Sequence, residues 1–586
     1  MEKVVTKKKD YNKIFAGILT YVKNEWLMLI LAFVLVMGSN IASLIGPKLS
    51  GEAIDLIGVK GQIDFSAVIN KAVLMLLVYV VAGILKYIVT RVMARVAQRV
   101  IVHMRQDTFD KIMDLPLAYI DSHQTGDLVS RISYDLDLVN QSITHDILQV
   151  ATSLITIVGA FYMMVTISVK LTGLFLLLIP VTVLFTVYRI KKTRPLFSKR
   201  SKKLGEMNGY VEEILRGQKT IQAYKKEGYF AGQFKIKNDE SIEAYYNADY
   251  QAAINGPSVT LITNLSLALV TIFGAILFLN GDFSIGYLSS FILYSRKFSG
   301  PINEIANIIA DLQSSLSAMD RVLNLMDQPS EPADKPGAIS LDRVKGHIEF
   351  DHVKFSYNED KTIIKDLSLE ASPGQLTAIV GPTGAGKTTI INLLMRFYDP
   401  QAGEILIDGN KYLDIKRKSL RRSFAMVLQD AWLFKGTIRE NISYGREDAS
   451  LEDVIKVAKA CHIHDFIEKQ PGKYEAMIDD GATNLSQGQK QLLTIARAML
   501  LDAPILILDE ATSNVDSKTE VEIQDAMNKL IAGRTSFVIA HRLSTIMNAD
   551  LILVMDQGDI IEQGRHEDLL KAKGFYANLY NSQFDM

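Results

Sequence analysis

Six long apolar runs crowd the first half of this 586-residue chain, and the second half holds none of that length. They span about Trp26–Pro47, Val68–Val89, Leu148–Ser168, Leu171–Ile190, Val259–Leu279 and Ile285–Ile308. Each is long enough for a helix to cross a bilayer, and so many would not fit one soluble core. The sixth is the least clean, because Arg296 and Lys297 interrupt it. Hydrophobic residues make up 48% of the chain beside 22% charged, as expected of one part in lipid and one in water. The 64 basic and 65 acidic residues nearly cancel, so no basic excess points to nucleic acid. A single cysteine, Cys461, excludes an internal disulfide framework and a cysteine-based zinc site.

Loop charge sets the expected orientation. Lys86, Arg91, Arg95, Arg99, Arg105, Lys111 and Arg131 follow the second run, and eight Lys and Arg between Arg189 and Lys203 follow the fourth. The opposite loops carry only Lys48, Lys60 and Lys170. Both termini and the two long loops are therefore expected in the cytoplasm. Those loops, about 90–147 and 191–251, read as helix extensions with reversals at Pro116–Gly126 and Gly217–Gly228. The N-terminus, with Lys3, Lys7, Lys8 and Lys9, lacks the pattern of a secretory signal. Near residue 328 the composition shifts, and Pro329, Pro332 and Pro336 should stop the sixth helix. We expect a membrane domain over 1–328, a linker over 329–344 and an α/β domain over 345–586. Strands are expected at His347–Tyr357, Leu376–Val380, Ile505–Leu508, Thr535–Ala540 and Leu551–Met555.

The strand at Leu376–Val380 runs into Gly381-Pro382-Thr383-Gly384-Ala385-Gly386-Lys387-Thr388-Thr389 and then a helical segment, which is the P-loop pattern. Glycines turn backbone N–H groups toward phosphate oxygens, and the helix N-terminus adds its positive end. Lys387 should bridge the β- and γ-phosphates, with Thr388 on Mg²⁺. The strand Ile505–Leu508 ends in Asp509-Glu510. Asp509 can hold Mg²⁺ through water, and Glu510 can polarise an attacking water. Leu485-Ser486-Gln487-Gly488-Gln489 precedes another helical segment. Ser486 could be an ordinary N-cap there, or its helix could offer a second anion site.

The order of P-loop, Gln429, LSxGQ, DE and His541 resembles an ATP-binding cassette domain. With six membrane helices before it, nearly the whole chain resembles a half-transporter of the ABC exporter type, as in bacterial multidrug exporters. The resemblance implies a membrane all-α domain with long helix extensions, followed by a P-loop cassette that uses ATP and Mg²⁺. It places Tyr357 against adenine and Gln429 at Mg²⁺ and water. It places Ser486, Gly488 and Gln489 on ATP held by a partner cassette, Asp516 in the D-loop and His541 at the γ-phosphate. The reversals at 116–126 and 217–228 resemble coupling helices. It also implies ATP-driven export of drugs, lipids or peptides by a dimer in a bacterial plasma membrane.

One departure stands out. Gln487 occupies a position where the family commonly has glycine, while Glu510 is intact. That combination resembles one half of a heterodimer, whose partner would carry an unaltered signature and a degenerate catalytic Glu. The alternatives are a homodimeric exporter or lipid flippase that tolerates Gln487, and an ATP-regulated channel or sensor. Arg296 is expected to line a wet, inward-facing substrate cavity, since charge at that depth is costly in lipid. Snorkelling to the interface is the other reading.

Overall fold

A computed structural model describes residues 11–57, 64–358, 361–479, 482, 484–509, 516–540 and 543–584. They form two compact units: 11–113 with 125–328, and 114–124 with 329–584.

The first unit is helical. Five described helices are long and apolar enough to cross a membrane: Asn12–Ile57, Phe65–Met113, Thr125–Ile167, Val169–Arg216 and Glu227–Leu279. Phe65–Met113 has 49 residues, roughly 73 Å at 1.5 Å per residue. That is more than twice a hydrocarbon core of about 30 Å, so the helix continues well past its apolar run. The sixth expected span lies inside the 42-residue helix Ile285–Met326, which ends before Pro329. That helix is not among the five; Arg296, Lys297 and Glu304 fall within it. The first span was expected to stop near Pro47, but the helix passes through it to Ile57. Proline is tolerated inside long apolar helices where neighbours satisfy the freed backbone groups. Pro180, Pro195, Pro257 and Pro301 are likewise internal to helices.

Two turns of wider π winding, Arg131–Asp135 and Ser142–Asp146, interrupt the helix Thr125–Ile167. The first sets the carboxylate of Asp135, which is buried, against Arg321, whose Nε donates to it at 2.9 Å. Val96, Ala97, Val100, Met104, Leu136, Met319 and Val322 form the core around that pair. At the expected reversals the chain bends as the composition suggested. A short helix, Leu117–Asp121, follows Pro116, and Gln218–Ala223 follows Gly217.

The second unit is α/β. A four-stranded antiparallel sheet is built from β1 (Ile348–Phe355), β2 (Ile364–Ala371), β4 (Ala402–Ile407) and β5 (Asn410–Lys411), in the order β2-β1-β4-β5. A six-stranded sheet takes β3 (Leu376–Val380), β6 (Phe424–Val427), β9 (Ile505–Asp509), β10 (Thr535–Ile539), β11 (Leu551–Asp556) and β12 (Asp559–Gly564), in the order β12-β11-β3-β10-β9-β6. Gly436–Thr437 (β7) and Met477–Ile478 (β8) make a small separate pair. Strands β3, β9, β10 and β11 are apolar almost throughout because both faces of this sheet are covered. The five expected strands all form, with ends shifted by at most two residues.

Candidate ATP site

Four parallel strands finish at one edge of the large sheet. Ile379 in β3 lies opposite Ile539 in β10, Ile539 opposite Asp509 in β9, and Leu508 opposite Val427 in β6. Such an edge, outside the carboxyl ends of parallel strands, is where α/β folds bind ligands. The P-loop leaves β3 there, and Gln429 lies two residues past β6, exposed. Glu510 and His541 follow β9 and Ala540 in sequence and lie outside the described residues.

The P-loop closes tightly. Gly381 has φ +152°, and a Cβ on it would come within 2.2 Å of the Met555 carbonyl oxygen. Gly386, at φ +104°, is the left-handed residue that starts the helix Lys387–Leu394. Ala385 N donates to Pro382 O at 3.2 Å, and Gly558 N ties Ala385 O to the turn after β11 at 3.1 Å. Thr383, Gly384 and Thr388 are exposed. Lys387 Nζ folds back to donate to Gly381 O at 2.8 Å and Pro382 O at 3.0 Å. Burial pulls its ammonium below the ordinary lysine range, and the nearby Asp509 carboxylate opposes that shift. An anion reaching the loop would relieve the first effect and compete for the same donor.

Thr389 is buried, and its hydroxyl accepts from Tyr357 OH at 3.3 Å. Asn392 Nδ2 donates to the same phenol at 2.9 Å. Tyr357 therefore stands beside the P-loop helix, held at its tip and 41% exposed. Its ring meets Phe355 and Tyr398 edge-to-face, each at 4.9 Å. Neither Asn392 nor Tyr398 was singled out in the sequence, since neither belongs to a spaced motif.

Ser486 caps the helix Gln487–Leu501. Its Oγ accepts from Gln489 N at 3.3 Å, and Gln489 Oε1 accepts from Ser486 N at 2.9 Å. The N-cap reading is thus met, as a reciprocal capping box. Gly488 is buried, whereas Gln487 is exposed at the first helical position and lacks a positive φ. Asp516 caps Ser517–Ile531, accepting from Thr519 N at 3.0 Å. That backbone bond holds its carboxyl below the usual carboxylate range.

In the helical unit, Arg296 borders a hollow with Phe175, Thr182, Asn264 and Ser299. Lys297 turns elsewhere and donates to Ser43 Oγ at 2.7 Å.

Residues 29–302 match the family model of the ABC transporter transmembrane region, and 364–513 match that of the ABC transporter. An ABC transporter ATP-binding protein of Bacillus subtilis is 39% identical over 99% of this chain and 96% of its own. The fatty acid ABC transporter ATP-binding/permease protein of Mycobacterium bovis is 40% identical over 88% of this chain and 82% of its own. The structure of a bacterial Atm1-family ABC exporter with ATP bound superposes with a TM-score of 0.76 at 29% identity, covering 96% of this chain and 98% of that one. The chain belongs to the ABC transporters: it is a multi-pass half-transporter that dimerises and whose ATPase is coupled to transport.

Proposed function

We propose that this chain is one half of an exporter that moves amphipathic substrates across a bacterial plasma membrane, with its cassette in the cytoplasm. The observation that carries the reading is the shared edge of β3, β10, β9 and β6. It brings the P-loop, Asp509 and the chain leading to Glu510, His541 and Gln429 to one place. Adenine stacks on the exposed face of Tyr357. The P-loop amides, Lys387 and Thr389 at the helix start hold the phosphates or their support. Thr388 and Asp509 offer hard oxygen donors that suit Mg²⁺ arriving with the nucleotide. Such an ion would be held mainly through phosphate and water. Mg²⁺ would neutralise charge on the phosphates. Glu510 would polarise the attacking water, His541 would contact the γ-phosphate, and Gln429 would contact Mg²⁺ and that water.

Arg296 lines the substrate path and favours substrates with an acidic or polar head. Its place on a hollow between helices supports this, as does the fatty acid in the name of the Mycobacterium bovis relative. The partner is proposed to be a different chain, because Gln487 alters the signature while Glu510 is intact. One observation favours a homodimer instead. Gln487 sits exposed in ordinary helical conformation, so the backbone there does not require glycine.

The ATP reading is tested by Lys387→Ala. A lysine–phosphate contact is worth about 1.5–3 kcal/mol, so ATP affinity should fall roughly 10- to 100-fold. Affinity within about twofold of the parent, measured on the full chain in nanodiscs, would refute the P-loop assignment.

A further inference from the structure

Tyr398 joins the adenine platform to the first reversal. It follows the P-loop helix, and its ring stands at 89° to Tyr357 with centroids 4.9 Å apart. It also meets Phe355 at 5.5 Å and 69°. Its hydroxyl donates to Asp121 Oδ2 at 2.8 Å. Asp121 ends the short helix Leu117–Asp121, and the whole segment 114–124 packs as part of the cassette's unit. Glu331 N fixes the start of that segment by donating to Asp114 O at 2.8 Å, and Leu115 is buried. Within it, the rings of Tyr119 and His123 stack at 4.0 Å. Burial, and then the Asp121 carboxylate, push the Tyr398 phenol well above its ordinary range. At neutral pH it is therefore a donor, and Asp121 is the acceptor.

Tyr357 is held at its tip by Thr389 and Asn392 and on its flank by Tyr398. Edge-to-face pairs are directional, so a ring that settles under a stacked base re-aims its perpendicular neighbour. Among the described residues, that neighbour's hydroxyl is attached to Asp121, in the reversal. We propose that Tyr398 and Asp121 are positioning residues that report a nucleobase on Tyr357 to the Leu117–Asp121 helix and order it. The proposal rests on the reading that Tyr357 receives adenine. By linkage, the same contact makes an ordered helix favour adenine binding to the same degree.

The test is hydrogen–deuterium exchange on the full chain in lipid nanodiscs, carrying Glu510→Gln to retain nucleotide. Peptides over 381–389 and 117–124 are followed with MgATP and with magnesium tripolyphosphate, which has no base. In the parent, MgATP should slow exchange in both segments, whereas tripolyphosphate should slow it only in the P-loop. Tyr398→Phe keeps the ring and removes the donor, and Asp121→Ala removes the acceptor. Each should keep P-loop protection and lose at least about two-thirds of the nucleotide-dependent protection at 117–124. The double variant should match either single one, because both delete one bond. Full protection of 117–124 in either variant, or equal protection by tripolyphosphate, overturns the relay. If MgATP leaves the parent's P-loop unprotected, the ATP reading itself falls and takes the relay with it.

Discussion

The two units place their apolar surface in opposite ways. In the cassette unit, Leu506, Ile507, Phe537, Val538, Ile552 and Leu553 are fully buried, between layers of protein. In the helical unit, Leu76, Leu77, Val80, Val158, Leu177 and Leu184 are exposed, although they sit in the most apolar stretches of the chain. Such a surface calls for lipid or a partner chain against it. Polar groups consequently mean different things in the two places. On the cassette's surface a charge is ordinary. Inside the helical unit it needs a partner, as Asp135 has in Arg321, Arg189 in Asn255 and Lys297 in Ser43. Arg296, which is exposed, borders a hollow.

This contrast predicts how each unit fails. In the cassette, one residue should stop all work whatever the substrate. Glu510→Gln should leave ATP binding intact and slow turnover on the order of a hundredfold or more, because the water loses its polarising carboxylate. Steady-state ATPase with a parallel nucleotide-binding measurement checks this. Normal turnover would remove Glu510 from the chemistry.

In the helical unit, one residue should change which substrate moves while ATP use continues. Arg296→Ala should cut transport of a fluorescent fatty acid several-fold and leave a neutral amphiphile within about twofold. The expected loss is that of one charged contact in a partly wet site, about 1 kcal/mol. Counterflow in proteoliposomes, at matched protein levels, separates the outcomes. Equal transport of both probes by parent and variant would return Arg296 to an interfacial role.

What could be read from the chain divides along the same line. The P-loop was visible because phosphate binding demands particular residues at particular spacings, and Ser486 offered an N-cap that the structure contains, whereas the cap that Asp516 forms was not read from the chain. The strands were visible because continuous apolar runs bounded by turns have few other fates. Helix ends in the membrane unit were not. Pro47 reads as a stop in water, yet the helix continues to Ile57. The π turns that seat Asp135 leave no local signal, since they answer to packing against a helix almost two hundred residues away. Nor does any motif mark Tyr398 or Asp121, which meet across 277 positions of sequence. Thr389 shows a subtler limit. Its place in the P-loop run suggested phosphate, but its buried hydroxyl faces Tyr357. Even so, Tyr357, proposed to receive adenine, is joined to the P-loop run by that contact.

The smallest expected effect decides whether the two halves of the dimer are alike. Ser486→Ala removes the capping oxygen of Gln487–Leu501, worth about 0.5–2 kcal/mol. The helix should survive, since Leu492, Leu493, Ile495 and Ala496 are buried along it. On the proposal that Ser486 touches ATP across the dimer, any loss of ATPase beyond that reports on that ATP. If the partner is a different chain with a degenerate catalytic Glu, that ATP is mainly a clamp. Ser486→Ala should then lower ATPase by less than about fivefold, acting through how often the cassettes close. Glu510→Gln in the same assembly should remove nearly all of it. In a homodimer the two substitutions strike both sites, and both should be severe. The measurement is steady-state ATPase of the chain co-expressed with its candidate partner, and of the chain purified alone. Near-complete loss from both substitutions, or full transport by this chain alone, would make Gln487 a tolerated residue of a symmetric exporter.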